Sequence, residues 1–331
     1  MTPPLRAGQG ETGGLLRCYG RRDRRAVDGR PALNDIDTWP GGPRPNFFII
    51  GAPKCGTTSL AAWLAEHPAI CMSRPKEPKF FSTDLPGGRP SVTDYAASFA
   101  HAEPGTVAIG EASPHYLRSA VAVPAILKFE PAARFIVCLR DPVDMIQSSH
   151  DQLLYNGEET FPDLEAAWRV DEGRQLPVGG SYRELCALGQ QVQALFAVAP
   201  RDRIHVVTLD EITARPEETY FGVLDFLGLE RAPLASFPKL NASKSNRSPG
   251  LKRVLNQLGG LKRKLGLKTS FGLLDGVAKW NRVYRKREPV SPAFEAELRE
   301  HFRPEVLLLQ ALLDRDLSAW LTPPAKGAPG Q

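Results

Sequence analysis

After the apolar run Phe47-Phe48-Ile49-Ile50 the chain reads Gly51-Ala52-Pro53-Lys54-Cys55-Gly56-Thr57-Thr58-Ser59-Leu60. A strand that turns through glycine into a helix aims backbone N–H groups, and the positive end of the helix, at one point in space; the partner for such a point is an anion. Gly56 allows the close backbone approach that phosphate oxygens need, Lys54 brings a cation, and Thr57 and Thr58 bring hydroxyl donors. A second set of groups follows the run Phe135-Ile136-Val137-Cys138-Leu139. There Arg140 stands at the end of a predicted strand, Pro142 suits the first turn of the next helix, and Ser148 lies about two turns into it. A guanidinium and a hydroxyl converging on one anion make a clamp with fork geometry. A simple ion pair of Arg140 with Asp141 or Asp144 is the alternative.

The glycine spacing of the first loop matches G-x-x-x-x-G-K-[ST], in which the lysine after the second glycine reaches the β- and γ-phosphates. Here Thr57 occupies that position and the lysine, Lys54, comes earlier. Hydrolysis of ATP or GTP is therefore disfavoured, although a P-loop kinase or nucleotide triphosphatase, or a non-catalytic nucleotide-binding protein, remains an alternative.

Composition narrows the remaining choices. With 331 residues, 42% hydrophobic and 24% charged, the chain is an ordinary globular one, long enough for one large α/β domain or two smaller ones. No stretch approaches the roughly 18 apolar residues of a membrane span. The five cysteines are scattered, without a Cys-x-x-Cys pair, and the six histidines have no metal-ligand spacing. That usage suits reduced thiols, a cytoplasmic location and a protein without metal. The charge is uneven. From Lys244 to Arg287 thirteen basic residues face one acid, Asp275, a local +12 that leaves the rest at −7 under a total of +5. Leu251, Val254, Leu255, Leu258, Leu261 and Leu265 recur at helical spacing within it, predicting an amphipathic helix with a basic outer face. Such a face meets phosphate, sulfate, an acidic glycan or a membrane surface, or is merely solvated. The basic–aromatic alternation of single-strand nucleic-acid platforms is missing, and no nucleic-acid partner is expected.

The elements that must hold these groups follow from periodicity. Residues 1–45 read as a flexible extension ending in Pro40-Gly41-Gly42-Pro43, an ordered domain spans 46–322, and 323–331 form a tail. Short apolar runs predict buried strands at Phe47–Ile50, Val107–Gly110, Arg134–Leu139 and Ile204–Leu209. Between them lie helical patterns at Ala120–Phe129, Val143–Tyr155, Tyr182–Ala197 and Glu217–Leu227, with a helical pair broken at Pro304 near the end. Strands alternating with helices predict an α/β fold, a central parallel sheet flanked by helices on both faces. In such sheets ligands bind beyond the carboxyl ends of the strands, where both anion-binding segments fall.

Four stretches, Ile49–Leu60, Pro75-Lys76-Glu77-Pro78-Lys79-Phe80-Phe81, Gly110–Leu117 and Arg134–Ser148, occur in an order that resembles sulfotransferases using 3′-phosphoadenosine 5′-phosphosulfate (PAPS). The likeness is strongest to the heparan-sulfate-type and related bacterial enzymes and runs from about Asn46 to Trp320. It implies a P-loop-like sulfotransferase fold, with Pro53, Lys54, Cys55, Gly56, Thr57 and Thr58 holding the 5′-phosphosulfate and Arg140 with Ser148 holding the 3′-phosphate. It implies further that a basic loop late in the fold, here with Lys244 and Arg247, closes over that phosphate. Sulfuryl transfer needs neutralisation of the leaving phosphate, a task for Lys54, and a base for the acceptor proton. The resemblance gives that role to Glu77, three residues before Phe80-Phe81, with His115 as the rival. The expected by-product is adenosine 3′,5′-bisphosphate, and the acceptor a hydroxyl or amine of a carbohydrate, glycolipid or other glycosylated small molecule, with peripheral membrane contact open. One departure stands out: Ala112 follows Glu111 where many glycan-modifying relatives carry lysine, which weakens any inference of a heparan-like acceptor.

Overall fold

The computed structural model describes residues 38–87, 89–238, 245–246, 282–283 and 290–323. Five buried apolar runs form strands β1 (Phe47–Gly51), β2 (Ile70–Met72), β3 (Ala108–Ala112), β4 (Arg134–Leu139) and β5 (Ile204–Thr208). All pair in parallel, in the order β2-β3-β1-β4-β5. The first helix, α1 (Thr57–Ala65), returns from β1 to the edge strand β2, and the chain then passes through α2 (Val92–Ala97) into β3. From β3 it crosses β1 by way of α3 (Ala122–Phe129) to reach β4, and the reversal of direction leaves β1 with a crevice above its carboxyl end. Helix α4 (Pro142–Asn156) leaves β4 directly. Helices α5 (Leu164–Arg169), α6 (Tyr182–Cys186) and α7 (Leu188–Val198) precede β5, and α8 (Leu209–Ala214) and α9 (Pro216–Leu227) follow it. A two-residue pair, β6 (Ser245–Asn246) with antiparallel β7 (Arg282–Val283), falls within the basic segment, and α10 (Pro292–Leu313) is the last α-helix among the described residues.

The expected α/β architecture is the observed one, with several local differences. Strand β2 escapes a periodicity reading because three residues, Ile70-Cys71-Met72, carry no pattern. The helix expected over Tyr182–Ala197 is two helices that meet at Ala187, whose ψ of 61° leaves the helical range. Conversely, the break expected at Pro304 does not occur: α10 runs through it for 22 residues. Proline in a helix interior costs about 3 kcal/mol. The stripe Leu298, Phe302, Val306 and Leu309, buried in a helix that packs against α7 and α4, offsets that loss. The N-terminal boundary also moves. Trp39 packs edge-on against Tyr95 and Phe129, and Arg44 donates to the Phe129 carbonyl, so the chain before Asn46 is already anchored to the domain. The predicted basic helix lies outside the described residues. None of the described helices is long and apolar enough to cross a membrane.

Candidate functional site

The turn from β1 into α1 has the form the sequence predicts. Gly56 caps the helix in a left-handed conformation, φ 89°, and offers no side chain to the helix N-terminus. The first turn of α1 holds no acidic residue, whereas α4, α5, α6 and α8 are capped by Asp141, Asp163, Ser181 and Thr208. The leading N–H groups of α1 are thus left for an outside anion. Lys54 is also left-handed, φ 66°, a conformation seldom kept by a residue with a side chain unless the surroundings demand it. Its ammonium donates to Gln152 Oε1 at 3.2 Å. Pro53 and Thr58 are half-buried, and Thr57 is buried. Cys55 points inward, donating to the Pro53 carbonyl and lying 3.9 Å from Met145 Sδ. Burial pushes its thiol up to about 12, against the pull of Arg140 and Lys54, so this residue can serve an anion only through its backbone N–H.

Arg140 reaches across to this loop. One of its NH groups donates to the Lys54 carbonyl at 3.4 Å, which places the end of β4 and the turn after β1 in one crevice. Another pairs with Asp144 at 3.1 Å, one of the two alternatives the sequence left open. The other, Asp141, instead binds Arg299 of α10 at 3.0 Å while capping α4 through the Val143 N–H. Burial raises the Asp141 pKa, and Arg299 offsets part of the rise. Arg140 is 18% exposed and its Nε is buried with no hydrogen-bond partner among the described residues. A guanidinium with an unmet buried donor, beside an uncapped helix N-terminus, fits a multiply charged anion.

Ser148 sits on α4 in a polar stripe with a period of four, Asp144, Ser148, Gln152 and Asn156, that starts beside Arg140. Gln152, which bonds both Lys54 and Asn156, is a member of this stripe that motif reasoning passes over; the spacing of four from Ser148 is the signal that could have found it. The backbone of β6 lies against α4. Lys244 and Arg247, on either side of β6, lie outside the described residues.

Glu77 stands in a segment held from below. Phe80 and Phe81 are buried, with Phe80 stacked on Tyr95 at 4.3 Å and Phe81 edge-on to Phe48 and Tyr116. The Lys79 N–H donates to Ser113 Oγ, and the Phe81 N–H to the Tyr116 hydroxyl, both from the stretch that follows β3. These ties keep Glu77 and Lys79 at φ 60° and 55°. The Glu77 carboxylate accepts from Lys76 Nζ at 2.7 Å and is 35% exposed, so its oxygens stay accessible. The rival, His115, is differently placed. Its Nδ1 accepts from Arg118 Nε at 3.0 Å, and burial, with Arg118, Lys79 and Lys76 nearby, lowers its pKa to about 3. A neutral imidazole whose Nδ1 lone pair is already bound leaves only Nε2–H for a partner. Beneath this region Glu111 is fully buried. Burial raises its pKa to about 8, and the Tyr116 and Tyr95 hydroxyls hold it from rising further. Among the described residues no group of His, Cys, Asp and Glu is arranged to hold a metal.

Comparison with known proteins agrees with this arrangement. A family model described as the Sulfotransferase family matches residues 84–233. The membrane-associated sulfotransferase kil1 of Dictyostelium discoideum is 32% identical over 122 residues, 37% of this chain and 26% of that protein. Human carbohydrate sulfotransferase 15 is 33% identical over 149 residues, 32% of this chain and 27% of that protein. The match thus spans about a quarter of the length of these curated relatives. The crystal structure of a sulfotransferase from Alicyclobacillus acidocaldarius superimposes with a TM-score of 0.63 at 26% identity, covering 84% of this chain and 99% of that one. A strand-to-helix turn open to an anion and an arginine reaching it from the next strand accompany these likenesses: residues 84–233 match the sulfotransferase family, and the chain has the fold of a sulfotransferase.

Proposed function

We propose that the protein moves a sulfuryl group from PAPS to a hydroxyl or amine of an acceptor, a carbohydrate or glycosylated small molecule, and releases adenosine 3′,5′-bisphosphate. The observation that carries this reading is the contact between Arg140 and the Lys54 carbonyl, which brings two anion-binding groups to one crevice and suits a donor charged at both ends. In this reading the turn Pro53–Thr58 holds the 5′-phosphosulfate, and Arg140 with Ser148 holds the 3′-phosphate. Glu77 takes the proton of the acceptor as its oxygen or nitrogen bonds to sulfur. The bond from sulfur to the phosphate oxygen breaks, its electron pair stays on the phosphate, and Lys54 neutralises that charge. The names of the curated relatives, carbohydrate sulfotransferases among them, support a sugar-bearing acceptor.

Labelled-sulfate transfer combined with calorimetry tests the reading. The bisphosphate product should bind more tightly than AMP or ADP. Replacing Glu77 with Gln should lower transfer by about 10² to 10⁴ while leaving product affinity intact. Replacing His115 with Gln should cost less than about tenfold, and the pH–rate profile should show no inflection near 6.5. Magnesium-dependent turnover of ATP, with no preference for the bisphosphate, would sink the proposal in favour of a P-loop kinase or triphosphatase.

A further inference from the structure

Alongside the anion-binding turn lies a cavity of about 370 Å³, bounded by α1, β2 and the loop from His101 to Thr106. It follows α1 along its length, from Thr58 at the turn to His67 beyond the last residue of the helix. Its volume exists because of residue choice: Ala61, Ala62 and Ala65 occupy the side of α1 facing it, where larger side chains would fill the space. The two ends differ chemically. At the end beside the turn stand Thr58, Ser73, Arg74 and Lys76. Ser73 is only 7% exposed, yet its hydroxyl has no hydrogen-bond partner among the described residues. A buried hydroxyl so placed lacks a bond that a ligand can supply. Lys76 is the ion partner of Glu77, so this end adjoins the residue assigned the acceptor proton. The opposite end carries two carboxylates, Glu66 and Glu103.

We propose that this cavity is the acceptor site, and that the acceptor is a short hydroxylated molecule of sugar size with no negative charge at its far end. The inference rests on the sulfuryl-transfer reading above. Hydroxyl groups both donate and accept, so they satisfy Ser73, Thr58 and Arg74 at one end and the two carboxylates at the other. A polyanionic glycan laid along the cavity carries its charges past Glu66 and Glu103, and like charges there oppose binding.

The test uses the full chain, labelled PAPS and two probes: lactose, which is neutral, and a chondroitin disaccharide, which bears a carboxylate. Calorimetry with adenosine 3′,5′-bisphosphate reports the donor crevice in every variant. Wild type should favour lactose by about tenfold or more in kcat/KM. Ala62→Trp should lower kcat/KM for lactose by about tenfold or more, with bisphosphate affinity and the KM for PAPS unchanged. If that variant fails to fold, Ala65→Trp at an exposed position serves the same purpose. Glu66→Lys with Glu103→Lys should erase or invert the preference. A wild-type preference for the chondroitin disaccharide, a filled variant that works as wild type does, an unmoved preference after charge reversal, or sulfation of neither probe with bisphosphate binding intact each overturns the cavity assignment. Absence of bisphosphate binding in wild type would instead strike the donor reading beneath it.

Discussion

Arg140 shows what a single side chain contributes. A guanidinium has five donors; here one meets the Lys54 carbonyl, another meets Asp144, and the buried Nε meets nothing among the described residues. A charged hydrogen bond to phosphate is worth about 1.5–3 kcal/mol, so Arg140→Ala should weaken the bisphosphate product by about 10- to 100-fold. An analogue without the 3′-phosphate should lose less than about threefold by the same measure. Calorimetry on both ligands decides the matter, and equal losses would assign Arg140 to the loop rather than to the phosphate. The pairing of Glu77 with Lys76 and of His115 with Arg118 separates two residues that the sequence leaves as rivals. Both are near the crevice, but only the carboxylate keeps accessible lone pairs.

At the scale of an element, the turn between β1 and α1 depends on Gly56 twice over. Its φ of 89° suits glycine, and a Cβ there would stand 2.9 Å from Ile212 Cδ1 and 3.0 Å from Leu209 Cδ1 of α8. Gly56→Ala should therefore lower the melting temperature by several degrees and the bisphosphate affinity by about tenfold, since strain and crowding displace the N–H groups that face the anion. Gly42 is a control: its φ of 83° is similar but nothing lies within 4 Å of an added Cβ. Gly42→Ala should cost about 1 kcal/mol of stability and leave affinity alone. The turn, β4 and α4 were legible in the sequence because glycine, proline and apolar runs mark their limits locally. The continuity of α10 through Pro304 was not, because the burial that outweighs the proline comes from packing against helices distant in sequence, α7 and α4 among them.

For the whole molecule, two buried carboxylates set opposite limits on stability with pH. Glu159 is held between Arg174 at 2.7 Å and the Tyr182 hydroxyl at 2.8 Å. Burial opposes its ionisation, but Arg174, the Phe161 N–H and Tyr182 outweigh it and hold the pKa at about 2. The stability it contributes is present above its ordinary value of 4.5 and is lost as the pH falls toward 2. Glu111 behaves in reverse. With its pKa raised to about 8, the folded protein binds a proton there that the unfolded chain has released, so its contribution is full below 4.5 and lost as the pH rises through 8. Melting temperatures of Glu111→Gln should accordingly fall less than those of wild type between pH 5 and pH 9. Glu159→Gln should destabilise at neutral pH, by about 3–5 kcal/mol, and lose less than wild type on acidification. Parallel pH profiles for wild type and Glu111→Gln would show that the Glu111 carboxyl is not the titrating group.

The sequence by itself determined four of the five sheet strands, the glycine turn and the arginine at the end of β4, because each is written in a few neighbouring residues whose conformational preferences are local. Tertiary structure alone decided what those residues meet. Gln152 on Lys54, Arg299 on Asp141, Ser113 and Tyr116 under the Glu77 segment, and the space left beside α1 by three alanines all join parts of the chain distant in sequence. Such contacts arise from packing, which no local pattern encodes.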